Sequence, residues 1–145
     1  MATVWTIGYE KLLPPELANE LVEAGVQRVL DVRFRPQSRR PGMSKTRLGD
    51  LLADHGIAYE HRKALGTPAD IRALFHAGKT EEARAAYRTH VEATASDELD
   101  ALAAELDGPV RTALLCLEAD PAGCHRRVLC EALRSRRAGL EVVDL

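Results

Sequence analysis

Residues 114–127, Leu-Leu-Cys-Leu-Glu-Ala-Asp-Pro-Ala-Gly-Cys-His-Arg-Arg, decide how this chain is read. They complete an apolar run from Val110 to Leu117, broken only near its start by Arg111 and Thr112, and such a run predicts a buried strand. Asp120-Pro121 is a helix-start signal, because Asp accepts from free amides and Pro tolerates the first helical position. The periodic segment from Cys124 to about Arg137 then predicts a helix. Two thiols, a carboxylate, an imidazole and two guanidinium groups sit within this strand–turn–helix unit. No other window of the chain is so dense in reactive groups.

Working outward, the same alternation recurs. Thr3 to Gly8 reads as a first strand that ends at Gly8-Tyr9. Pro14-Pro15-Glu16 opens a helix to Ala24, with Leu17, Leu21 and Val22 on one face and Gly25 behind it. Val26 to Val32 is a second strand, and period-two alternation puts Asp31 and Arg33 on one side of its end. Ser44 caps a helix carrying Leu48, Leu51 and Leu52, and Ile57-Ala58-Tyr59 is a short third strand. Three helical segments follow, from Thr67-Pro68, from Thr80 and from Ser96. Leu140 to Val143 reads as the last strand. The expected fold is α/β: one layered domain over residues 1–145 with a mostly parallel sheet flanked by helices.

Composition narrows the function classes. The 145 residues are 46% hydrophobic and 29% charged, as in a globular protein. No run approaches the roughly 20 apolar residues of a membrane span, and Met1 to Gly8 lacks the pattern of a signal peptide. Three cysteines, an odd number, suit a reducing compartment better than a disulfide framework. A cytoplasmic protein without membrane partners is expected. The net charge is −2, yet Arg33, Arg35, Arg39, Arg40, Lys45 and Arg47 fall in residues 33–47 with no acid among them. The other 14 basic residues face all 22 acids, a balance of −8. One basic loop on an acidic molecule is a footprint for a phosphate-bearing partner.

Several separated motifs recur together in one family. Thr6-Ile7-Gly8-Tyr9, Asp31-Val32-Arg33 with Pro36 and Ser38-Arg39, Gly56-Ile57-Ala58-Tyr59, Leu65-Gly66, and Cys116-Leu117-Glu118 through Cys124-His125-Arg126 resemble, in this order, the bacterial domain-of-unknown-function family 488. The resemblance spans nearly the whole chain. It implies a small cytoplasmic α/β domain and supports the site positions without supplying a reaction. Thr67 departs from it, since a second glycine is expected after Leu65-Gly66.

Open parallel sheets bind ligands at the carboxyl ends of their strands. Three strand ends carry Gly8-Tyr9, Asp31 with Arg33, and Cys116 with Glu118, and the helix entry adds Gly123, Cys124, His125 and Arg126. Cys124, in a helix's first turn beside His125 and Arg126, is where a thiol pKa falls; the plainer alternative is a small buried hydrophobe. A phosphatase-like Cys-x5-Arg loop is excluded, because six residues past Cys116 and Cys124 stand Ala122 and Cys130. Cys130 to Arg136 has the spacing but lies mid-helix without glycines. Cys116, Glu118, Cys124 and His125 could supply zinc ligands, yet their spacing matches no zinc motif, and no metal site is assigned. Asp31 and Arg33 invite a local pair, or Arg33 could clamp a phosphate bidentately.

The leading expectation is a strand-end pocket for a phosphate-containing ligand, a nucleotide or nucleic acid. Arg33, Arg39, Arg126 and the amides around Gly123 would hold the anion, and Cys124, Glu118 and Asp31 are the candidates for catalysis. No cofactor is specified by the sequence. Two other classes stay open: a non-catalytic nucleic-acid-binding module using residues 33–47, and a thiol- or metal-dependent hydrolase. Phe34 is the only aromatic residue in that loop, which makes base stacking on single strands poor.

Overall fold

The computed structural model describes residues 2–145. Five strands, β1 (Thr3–Gly8), β2 (Arg28–Asp31), β3 (Ala58–His61), β4 (Thr112–Cys116) and β5 (Glu141–Asp144), form one sheet in the order β3-β2-β4-β1-β5. Every pairing is parallel. The fold is therefore α/β, and the sheet is wholly parallel. The apolar run at its middle explains the topology. All five residues of β4 are buried, which only a central strand covered on both faces requires. The edge strands β3 and β5 contain no fully buried residue.

Six helices cover the two faces. On one lie α1 (Pro14–Glu23) and α2 (Lys45–Asp54), whose Leu17, Leu21, Leu48 and Leu52 pack with Ile7, Val29, Ala113 and Leu115. On the other lie α3 (Ala69–His76), α4 (Thr80–Thr94), α5 (Ser96–Glu105) and α6 (His125–Arg136). Their Tyr87, Val91, Leu99, Leu102, Leu129 and Leu133 pack with Val4, Leu30, Leu114 and Cys116. Alternate residues of each central strand thus feed opposite cores, as the pleat demands.

Several boundaries differ from the sequence reading. β4 begins at Thr112 rather than Val110, because the Arg111 carbonyl turns to accept from the amides of Gln27 and Arg28. Asp120-Pro121 starts only a single 3-10 turn, Pro121–Gly123, with the Asp120 carboxylate accepting from Ala122 N at 2.9 Å. The chain then straightens at Cys124 (φ −137°, ψ 159°), and α6 starts one residue later. Cys124 is its N-cap. β3 runs on through Glu60 and His61, and registers His61 beside Asp31.

Register brings the strand ends together. Gly8 is the partner of Cys116, and Asp31 that of Leu115. At Gly8 an added Cβ would overlap the Glu118 carbonyl, so glycine lets the chain leaving β4 cross directly over the end of β1.

Candidate functional site

Asp31 is fully buried at the end of β2, and its carboxylate is spent on the protein itself. Arg33 grips it bidentately, Nε to Oδ1 at 2.8 Å and Nη2 to Oδ2 at 2.7 Å, and the Arg33 amide also donates to Oδ1. The Tyr59 hydroxyl donates to Oδ2. Arg33 Nη1 donates in turn to the Met43 carbonyl (2.7 Å) and to Tyr9 Oη (3.2 Å). Two charges removed from water are tolerable only with such complete pairing. The pair ties β2 to the loop before α2 and leaves Arg33 at the pocket edge with one spare N–H.

Arg126, in the first turn of α6, is turned inward and fully buried. Nη1 donates to Thr6 Oγ1 at 2.9 Å, and Nη2 to the Glu118 carbonyl at 2.6 Å. Among the described residues no carboxylate pairs with it, and its Nε has no hydrogen-bond partner. The negative charge it faces is that of the Cys124 sulfur, with the Cys116 thiol beside it.

These sulfurs and the Glu118 carboxylate lie within 4.8 Å of one another. The Cys116 thiol points at Glu118 Oε2 (3.6 Å), and Cys124 Sγ meets His125 Nδ1 (3.5 Å). Burial opposes ionisation of Cys124, but the adjacent Cys116 thiol and the charges of His125 and Arg126 outweigh it. The Cys124 thiol is held well below the ordinary thiol range. Burial and the adjacent Cys124 push the Cys116 thiol well up. Glu118 is pushed up to about 7, first by burial and then by the Cys124 charge. His125 gains basicity because its partner is a thiolate, which overrides the burial that works against its charge. The resulting set is one thiolate, one thiol, one imidazolium and a carboxyl poised near neutrality. Three such ligand atoms could approach a soft cation, but the Arg126 guanidinium beside both sulfurs opposes a dication there.

Above this cluster opens a cavity of about 400 Å³. Its floor is Cys116, Glu118, Cys124 and His125. One wall is Tyr9 with Arg33, and the rim carries Arg35, Arg39, Arg40 and Arg72, with Thr67, Phe34 and Phe75 between them. Of the residues expected at the site, Tyr9, Arg33, Arg39, Cys116, Glu118, Cys124 and His125 come together here. Gly8, Asp31, Gly123 and Arg126 stand behind the lining. The Gly123 amide is taken by the Asp120 carbonyl, within the 3-10 turn. Tyr59 serves Asp31, and His61 Nε2 meets the Arg33 carbonyl at 2.8 Å. Sequence reasoning missed Arg72, Thr67 and Phe75. Arg72 carries no local signal beyond being a basic residue on an amphipathic helix.

A family model described as "Domain of unknown function DUF488" matches residues 15–133, well over half of the chain. The chain belongs to this family. Comparisons with curated proteins and with solved structures gave no match. The DUF488 match contains Asp31, Arg33 and the whole Cys116-to-Arg126 unit, while Gly8 and Tyr9 precede it. No helix among the described residues is long and apolar enough to cross a membrane.

Proposed function

We propose that this DUF488 pocket binds a phosphate-bearing small molecule of the nucleotide class, with Cys124 and Glu118 as the groups for any chemistry on it. One observation carries the reading. Arg35, Arg39 and Arg72 reach the same cavity, and among the described residues none of their guanidinium groups has a hydrogen-bond or ion-pair partner within the protein. Guanidinium forks match phosphate oxygens bidentately, and such charge-assisted bonds are the strong ones. The cavity volume falls in the range of small-molecule sites.

The other arginines have structural work. Arg126 holds the Glu118 loop, and Arg33 holds Asp31. Arg40 latches the loop after β1 through the carbonyls of Tyr9, Glu10 and Leu12. Asp31 therefore acts by positioning Arg33 rather than by moving protons. Glu118, near neutrality, can both give and take a proton. A cytoplasmic location fits three unpaired cysteines.

Calorimetric titration with AMP, ATP and inorganic phosphate tests the reading. Arg39→Ala and Arg72→Ala should each weaken nucleotide binding by about tenfold or more, as loss of one charge-assisted contact implies. Arg47→Ala, outside the pocket, should leave it unchanged. Absence of binding to the wild type at millimolar ligand, or equal affinity in all variants, would sink the proposal.

A further inference from the structure

Cys116 and Cys124 are both free, both line the cavity floor, and have sulfurs no more than 4.8 Å apart. Cys116 sits at the end of a central strand, whereas Cys124 follows a 3-10 turn in an extended N-cap conformation, where a small shift would bring it onto its neighbour. A disulfide needs the sulfurs about 2.0 Å apart. Cys130, the third cysteine, lies farther along α6 and does not line the cavity.

We propose that Cys124 and Cys116 form a redox pair in which Cys124 reduces a small hydroperoxide and Cys116 resolves the product as a disulfide. The redox chemistry needs no phosphate bound by the rim arginines, so it stands or falls independently of that part of the phosphate reading.

The Cys124 thiolate attacks the terminal oxygen of the hydroperoxide and the O–O bond breaks. Sulfur is oxidised by two electrons to the sulfenic acid, and the departing alkoxide takes the Glu118 proton to leave as an alcohol, or as water from hydrogen peroxide. Glu118, now a carboxylate, takes the proton of the Cys116 thiol that already points at it. Cys116 sulfur then attacks Cys124 sulfur, the S–O bond breaks, and the hydroxide leaves as water with that proton. An external dithiol restores the reduced pair. The charges around Cys124 supply the thiolate, while burial keeps Cys116 a thiol and so from competing as the first nucleophile.

The test treats the reduced protein with one equivalent of hydrogen peroxide, followed by intact mass measurement, then alkylation in denaturant and peptide mapping. The wild type should lose about 2 Da and yield a Cys116–Cys124 linked peptide, reversed by dithiothreitol, with Cys130 still alkylated. Cys130→Ser should behave identically. Cys116→Ser should stop at a Cys124 sulfenic acid, about 16 Da heavier and trapped by a cyclic dione. The wild-type peptide map decides the matter even if that variant folds poorly. A disulfide that includes Cys130 or joins two chains, direct passage of wild-type Cys124 to the sulfinic acid, or an unoxidised Cys124 in excess peroxide would overturn the proposal.

Discussion

His125 Nε2 lies 2.8 Å from the Val32 carbonyl oxygen, so it must carry a hydrogen, and Nδ1 is the nitrogen that faces Cys124. The strand end thereby sets the tautomer that lets the ring take a proton from the thiol. Alkylation of Cys124 by iodoacetamide should already be near its plateau rate at pH 7, while Cys130, whose thiol burial pushes up to about 12, stays almost unreacted. His125→Asn should slow Cys124 labelling at pH 7 by about tenfold and move its rise to higher pH, one pKa unit being a factor of ten. Equal slow labelling of all three cysteines would leave Cys124 a packing residue.

The carboxyl of Glu118 gives stability an unusual sign of pH dependence. Its pKa is about 7 in the folded chain, against 4.5 ordinarily. Between these values the unfolded chain has released a proton that the folded chain still holds, so stability falls as pH rises through this window. Below and above it Glu118 contributes no slope. The group is partly exposed, so the span is discounted to about 1–2 kcal/mol. Cys124, whose thiol is held low, contributes the opposite slope. Urea unfolding at pH 5, 6 and 7.5 is therefore read as wild type against Glu118→Gln, and the wild-type advantage should decline through this window. A slope unchanged in the variant would assign the effect elsewhere.

Breaking the Asp31–Arg33 pair from one side should be costly. Asp31→Ala leaves the buried Arg33 guanidinium without its bidentate acceptor, and a loss of about 3–5 kcal/mol is expected. Tyr59→Phe removes a single bond to the same carboxylate and should cost about 1 kcal/mol. Denaturant midpoints give both numbers. If Asp31→Ala costs no more than Tyr59→Phe, the pair does not anchor the loop.

Gly8→Ala should act on the Glu118 loop, 110 residues away in the sequence yet directly adjacent in space. The new methyl would overlap the Glu118 carbonyl, which Arg126 holds in place. Overpacking of this kind costs about 1–3 kcal/mol. Cys124 alkylation should slow together with stability, because the displaced loop ends at Cys124. Unchanged labelling in a destabilised Gly8→Ala would show the loop to be uncoupled from the thiol.

Much of this was legible because local rules and tertiary structure agree. The run ending at Leu117 reads as a strand since a central strand excludes polar residues, and Gly25 and Gly56 stop helices at a positive φ. The clustering of Cys116, Glu118, Cys124 and His125 follows from a parallel sheet, whose loops share one edge. Directions of long side chains did not follow. Arg126 could have faced the cavity as readily as the core, and only the Thr6 hydroxyl and Glu118 carbonyl settle its inward course. Arg72 reaches the rim through the packing of α3 on α4, a contact between segments with no shared sequence signal. The basic stretch 33–47 likewise divides: Arg33 and Arg40 bond inward, Arg35 and Arg39 face the cavity, and Lys45 and Arg47 ride outside on α2.

That division predicts how salt will separate a ligand pocket from a nucleic-acid surface. A surface using all six basic residues of the stretch would release counterions on binding, and log affinity would fall against log salt by about 0.9 per phosphate neutralised. With two of the six turned inward and two on α2, few can meet one phosphate chain. Nucleotide binding should therefore show a shallow slope of about −1 to −2, expected for one or two neutralised contacts. Single- and double-stranded oligonucleotides should bind more weakly than ATP at physiological salt. Arg39→Ala should reduce the nucleotide slope by about one, and Arg47→Ala should leave it alone. Tight, steeply salt-dependent oligonucleotide binding that survives both Arg39→Ala and Arg72→Ala would make the protein a nucleic-acid-binding module and the cavity incidental to it.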